Sequence, residues 1–245
     1  MMNHRLRYLS LLAIVSIAST LHAQQPCSEE VKLLLTPAQL QTVIPALQAT
    51  GKTQGHIYFY DTPNLDLLSK GVILRLRVRA EIDLTAKLRP PPGEKFTDLS
   101  NGRYTCEVDL NDGIENQSFL VQNKYLSANA PLTGGELFHL LSDGQRQLLT
   151  DSGVQIDWKQ VKRIANIQST SWTAKQPLGK LSLELWEWPG GKILELSTRT
   201  TTDSGKTTYA ALQSLAQKNN LALSPVQRAK TSVALEAIAA SRKHP

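Results

Sequence analysis

The sequence predicts an α+β protein in one domain, its sheet curved into a barrel with ionic faces inward and helices packed outside. Three observations carry this. The first is the run GVILRLRVRAEIDLTAKLRP at 71–90, where Arg75, Arg77 and Arg79 alternate with Leu74, Leu76 and Val78. A strict period of two marks a strand with one apolar and one polar face. The second is that nearly every other strand-like segment also pairs an apolar face with charges of both signs: Glu30 and Lys32; Thr85, Lys87 and Arg89; Glu107 and Asp109; Lys180 and Glu184; Glu195 and Arg199. One or two such strands are ordinary solvent faces, whereas many together suggest an enclosed ionic interior. The third is the absence of an internal repeat, a low-complexity tract or a long linker in 245 residues, which makes one domain the economical reading.

The arginine row has two physical readings. Neighbours two apart on a strand lie roughly 7 Å from each other. Their repulsion is well under ~1 kcal/mol in water but about 2 kcal/mol at an effective dielectric near 20. A solvated basic edge that blocks aggregation tolerates this. A walled-in row needs an anion or carboxylates opposite. In the barrel reading, Leu74, Leu76 and Val78 pack under helices while Arg75 and Arg77 share their side with Lys87 and Glu107.

The elements follow in order. EEVKLLL (29–35) reads as a strand. Thr36-Pro37-Ala38-Gln39 has the form of a capping box with proline at the first helical position, and Leu40, Val43, Ile44 and Leu47 continue at helical spacing to Gly51, with a kink expected at Pro45. HIYFYDT (56–62) is a second strand, and Thr62-Pro63 opens a short helix closed by Gly71. The arginine strand and LTAKLR (84–89) come next, then a loop at 89–102 and the alternating YTCEVDL (104–110). Residues 114–155 read as mostly helical, with Leu137, Leu140 and Leu141 as an apolar stripe. Strands near 159–173, at 180–188 and at 192–200 follow, the last two joined by a Pro-Gly-Gly turn. Helices at 207–219 and 225–241 end the chain, the second behind Ser224-Pro225 as cap and first residue.

Hydrophobic residues at 41% and charged residues at 20% are those of a globular protein. Residues 1–23 have a basic start (Arg5, Arg7), an apolar run and Leu-His-Ala, the pattern of a cleavable secretory leader; a retained anchor is the alternative. Residues 24–245 would then be the mature domain, secreted or periplasmic, with no stable membrane anchor. Its formal charge falls from +6 to +4. That mild excess suits an anionic ligand, but it is too small and dispersed for nucleic acid. Two cysteines, Cys27 and Cys106, are consistent with a disulfide in an exported chain or with two buried thiols. Nothing in the sequence fixes the oligomeric state.

The segment YDTPNLDLLSKGVILRLR resembles the Tyr-x-Asp-Thr…Leu…Gly-x-x-Leu-Arg-x-Arg stretch of CYTH proteins, the triphosphate tunnel metalloenzymes named for a class of adenylate cyclases and thiamine triphosphatase. LTAKLR and EVDL resemble that family's following strands, and the order of later elements is similar over roughly residues 28–240. The resemblance implies an antiparallel eight-stranded barrel forming a tunnel, and activity on inorganic triphosphate, polyphosphate or organic triphosphates with Mg²⁺ or Mn²⁺. It implies that Lys32, Arg75, Arg77, Lys87 and Arg163 bind phosphoryl oxygens, that Glu30, Glu107, Glu184 and Glu195 hold metal, and that Glu30 and Lys32 take part in catalysis. Two positions depart from the pattern. Ser28 and Ser197 stand where the family's Glu-x-Glu pairs have carboxylates, which weakens any Mg²⁺ site. In the inferred barrel, Cys27 precedes the first strand and Cys106 lies on the outer face of the acidic strand, so a Cys27–Cys106 disulfide is expected.

Two functions remain: a metal-dependent phosphohydrolase, and a non-catalytic polyanion-binding module of the same fold with a degenerate metal site. A cyclase is a weaker third, since export removes its nucleotide supply. Asp203-Ser204-Gly205-Lys206-Thr207 looks like the end of a P-loop, but Thr200 stands where the first glycine is required. His56 and His139 are isolated, no zinc-type spacing occurs, and no Gly-x-Ser-x-Gly elbow is present.

Overall fold

The computed structural model describes residues 27–91, 94, 99, 103–125, 129–201 and 204–243. The expected leader at 1–23 and most of the 92–102 loop lie outside these. Nine strands form a closed barrel: β1 (Ser28–Leu35), β2 (Thr50–Asp61), β3 (Val72–Val78), β4 (Ile82–Leu88), β5 (Thr105–Asn111), β6 (Ile114–Lys124), β7 (Lys162–Gln176), β8 (Gly179–Trp188) and β9 (Gly191–Thr200). Their order around the barrel is β1-β5-β6-β4-β3-β2-β7-β8-β9, closing on β1. Eight strands, all antiparallel, were expected. The extra strand is β6, which the sequence reads as helical, and β1–β5 is a parallel pair, with Glu30 opposite Asp109 and Lys32 opposite Asn111.

β6 forms because Asp112 and Gly113 make the turn that joins it to β5. Their φ values, +50° and +73°, are both positive, as a two-residue hairpin turn matched to strand twist requires. Gly190 (φ +92°) similarly serves the predicted β8–β9 turn.

The helices are α1 (Leu40–Ala46), α2 (Asp66–Ser69), α3 (Gly134–Leu140), α4 (Asp143–Asp151), α5 (Gly205–Lys218) and α6 (Lys230–Lys243). A 3-10 turn (Pro37–Gln39) precedes α1 with proline in its first turn, but the Thr36 side chain makes no capping bond. Capping boxes form instead at Thr133–Glu136 and Ser142–Gln145, which start α3 and α4.

Alternation sorts the side chains. Val31, Leu33 and Leu35 of β1 face outward with Leu183, Leu194 and Leu196 under α1 and α5. Leu74, Leu76 and Val78 of β3 pack with Leu137 of α3 and Leu148 of α4, as expected. A third cluster uses the opposite face: Leu34, Ile57, Phe59, Ile73, Trp186 and Ile193 join Ala234, Leu235 and Ile238 of α6. So α6 packs against inward-facing side chains of the barrel.

The path into α6 is anchored on β1. Thr36 and Ser224 donate their backbone N–H groups to the carbonyls of Ala222 and Leu34, and the Gln227 side chain bonds both backbone groups of Leu34. This bonded approach occupies 222–227, so α6 begins at Lys230 rather than at Pro225. Cys27 and Cys106 form the expected disulfide, with Cα atoms 4.5 Å apart, at the end of the parallel β1–β5 pair.

Candidate anion-binding site in the barrel

Inward-facing residues of β1, β3, β4, β5 and β9 and the start of α6 enclose a cavity of about 70 Å³. Five cations line it (Lys32, Arg75, Lys87, Arg89, Lys230) against two carboxylates (Asp109, Glu195). Asp109, 1% exposed, is the hub. Its Oδ1 accepts from Lys32 Nζ at 2.7 Å, its Oδ2 bonds Arg89, and Lys87 Nζ lies 3.5 Å away. Lys87 also donates to Glu107 at 2.8 Å. Glu30 sits 3.2 Å from Lys32 and accepts the Ser197 hydroxyl at 2.9 Å.

Burial by itself disfavours all these charges. It opposes ionisation of Asp109, yet Lys32, Lys87 and Arg89 hold its carboxyl well below the usual range. Burial likewise opposes the charge on Lys32, but Asp109 and then Glu30 raise its ammonium above the ordinary lysine value. For Lys87, burial wins over Asp109 and Glu107, and its pKa is lowered.

The arginine row divides. Arg77 makes a two-nitrogen contact with Asp83 at 3.0 and 3.3 Å, and Arg79 bonds Glu184 and the Ser169 hydroxyl. Arg75 differs. One of its terminal nitrogens reaches Thr85 Oγ1 at 3.4 Å, no ion pair to it forms among the described residues, and its Nε is buried without a partner. Burial, then the Arg77 guanidinium, pull its pKa down from 12.5 to about 10. Asn111 Nδ2 and Arg89 Nε are also buried without partners beside the same cavity.

Glu184 and Glu195 are directly opposed on β8 and β9. Lys230 of α6 lies between them, bonding Glu184 and donating to Glu195 Oε1 at 2.6 Å. Its ammonium also sits 4.7 Å from the centre of the Trp186 ring. The residues expected to hold metal are thus separately engaged: Glu107 by Lys87, Glu30 by Lys32 and Ser197, Glu184 and Glu195 by Lys230. Among the described residues no three His, Cys, Asp or Glu side chains gather as a metal-binding group. No Mg²⁺ or Mn²⁺ site is formed by these acids among the described residues. Ser197 is buried, while Ser28 is exposed, its hydroxyl 3.5 Å from the Cys106 carbonyl. Arg163, expected among the phosphate ligands, is elsewhere. It stands opposite Tyr60 in register, with its guanidinium 5.2 Å from the Tyr58 ring. Tyr58 and Tyr60 belong to the cluster under α3 and α4.

No protein-family profile matches the chain, and no curated protein matches it in sequence. Solved structures do match it. A Hippeastrum protein, named as a candidate adenylyl cyclase and described as having a dominant triphosphatase activity, superposes with a TM-score of 0.60 at 20% identity, over 83% of this chain and 93% of that one. The chain has the fold of the CYTH proteins. A Bacillus halodurans protein named as a candidate adenylate cyclase gives a TM-score of 0.56 at 16% identity, over 82% of this chain and 94% of its own. A Pyrococcus horikoshii protein gives 0.50 at 16%, over 84% and 98%.

Within this CYTH fold the YDTP segment has a structural task. Asp61 accepts the backbone N–H groups of Thr62, Leu67 and Leu68 at 2.6, 2.8 and 2.9 Å and so shapes the turn through α2. Sequence reasoning placed Asp109 and Arg89 on polar faces but assigned neither a site role. It did not single out Lys230 at all. Lys230 is 35 residues from Glu195 and 46 from Glu184, and no local pattern announces such a contact.

Proposed function

We propose that the protein binds linear phosphate-chain anions, inorganic triphosphate or polyphosphate, in the cationic cavity of its barrel. The observation that carries this is Arg75, a guanidinium with a buried, unpartnered nitrogen in a cavity where five cations face two carboxylates. Buried polar groups without partners are costly, and charge-assisted bonds from guanidinium to phosphate are strong and often bidentate. Lys32, Lys87, Arg89 and Arg75 surround the space in which phosphoryl oxygens would be held, and Arg77 lies next along the row. An exported chain is supported by the N-terminal basic-apolar pattern and by the disulfide.

Hydrolysis of triphosphate is the second reading, favoured by the description of the Hippeastrum neighbour. In it Glu30 and Lys32 would orient the scissile end of the chain. Because the acidic residues are held by cations of the chain itself, turnover with Mg²⁺ or Mn²⁺ is expected to be slow at best. The test is a melting curve with tripolyphosphate alongside a phosphate-release assay. At a hundred times its dissociation constant the ligand should stabilise the fold by about 2.7 kcal/mol. Arg75→Ala should abolish most of that shift. No shift with any polyphosphate would sink the proposal, and brisk metal-dependent release would replace it with the hydrolase reading.

A further inference from the structure

We infer that the Lys230 ammonium takes the place of a divalent cation at the Glu184–Glu195 pair, so that this pair is a self-neutralised site and not a metal site. The pair brings two acids of the expected metal set face to face. Two carboxylates stand directly opposite each other on adjacent strands, where like charges destabilise a sheet. Both are largely shielded from solvent, with side chains 16% and 5% exposed. Such a pair needs a cation. Here the chain supplies two, Lys230 between the carboxylates and Arg79 on Glu184. The four groups sum to zero charge, so no field remains to draw in Mg²⁺ or Mn²⁺, which demand anionic oxygens and give up water reluctantly.

Lys230 is held in place by more than its charge. Its ammonium rests against the Trp186 ring, and α6 is fixed behind it by Ala234, Leu235 and Ile238. A tethered cation competes with a free one at a high effective concentration. One acceptor is left over: Glu195 Oε2 is buried and unpartnered, which a metal would use and an ammonium does not. Without the Lys230 charge, two opposed carboxylates, one with an unpartnered oxygen, would face Arg79 alone. Anion binding in the cavity that Lys230 and Glu195 line would then need no divalent metal.

The probe is Mn²⁺ alone, without any phosphate, so failure here is distinguishable from failure of the phosphate-binding proposal. Free Mn²⁺ is read by its electron paramagnetic resonance signal, and the melting temperature is followed in parallel. Wild-type protein should leave the signal and the melting temperature unchanged. Lys230→Met should bind Mn²⁺ at least about tenfold more tightly than wild type, roughly the strength of one charge-assisted hydrogen bond. The Lys230→Met/Glu195→Gln double variant should lose that gain. Wild-type binding that disappears in Glu195→Gln overturns the inference, as does a folded Lys230→Met with no gain. Should Lys230→Met not fold, the wild type decides: unchanged signals in Mn²⁺ support the inference and Glu195-dependent binding refutes it.

Discussion

Asp109 ties the interior of the barrel together, joining β5 to Lys32 of β1, to Lys87 of β4 and to Arg89 just past the end of β4. Removing one member of a buried ion pair leaves the others uncompensated. Asp109→Asn is therefore expected to cost about 3–5 kcal/mol in denaturant unfolding. The same contacts set a pH dependence. Burial raises the Asp109 carboxyl pKa, but Lys32, Lys87 and Arg89 together lower it further. Its contribution to stability is complete above the unfolded-state value, about 3.9, and is lost as pH falls from there towards the depressed folded value. Melting temperature should drop along that acid limb, and Asp109→Asn should drop less steeply. The alternation that brings these charges together was legible, because a period of two assigns faces without knowing the fold. Their pairing was not, since which acid meets which base depends on strand order and shear. Arg163 shows the limit: the resemblance implies a phosphate ligand, but the register with Tyr60 turns it outward.

At the scale of elements, β6 was missed although its signal was present. Asn111-Asp112-Gly113 lies between two runs, and the Asp-Gly pair is a strong hairpin cue. The run IENQSFLVQNK alternates weakly, with exposed Ile114 and buried Ser118 inverting the usual pattern, so it reads as part of the helical stretch that does hold α3 and α4. The last helix was misplaced for a different reason. Ser224-Pro225 has the chemistry of a cap, but its backbone is committed to β1 through Leu34. Helix α6 then carries Leu235, 3% exposed, against inward-facing apolar residues. Leu235→Ala should cost about 2–5 kcal/mol, read as a lower denaturant midpoint with an unchanged slope.

For the whole molecule, the barrel closes through β1, whose partners β5 and β9 are distant in sequence. The disulfide secures that seam over a separation of 79 residues. Loop-closure entropy gives about 4–5 kcal/mol for such a link, so Cys27→Ala/Cys106→Ala should lose up to that amount in equilibrium unfolding. The loss should match that of wild-type protein under reduction. The CYTH fold was legible because one segment, YDTPNLDLLSKGVILRLR, carries both the Asp61 turn and the arginine row. The pairing of Glu184 and Glu195 with Lys230 was not, because it turns on a helix that reaches them from the other end of the chain.

A phosphate chain should meet Arg75 without help from metal, and calorimetric titration of tripolyphosphate in EDTA tests this most directly. Arg75 has no ion pair to lose among the described residues, so Arg75→Ala should still fold, losing its long bond to Thr85 and some packing. The wild type should bind saturably in EDTA, and Arg75→Ala should lose that binding. Absence of binding until Mg²⁺ is supplied, or equal binding by the two proteins, would contradict it.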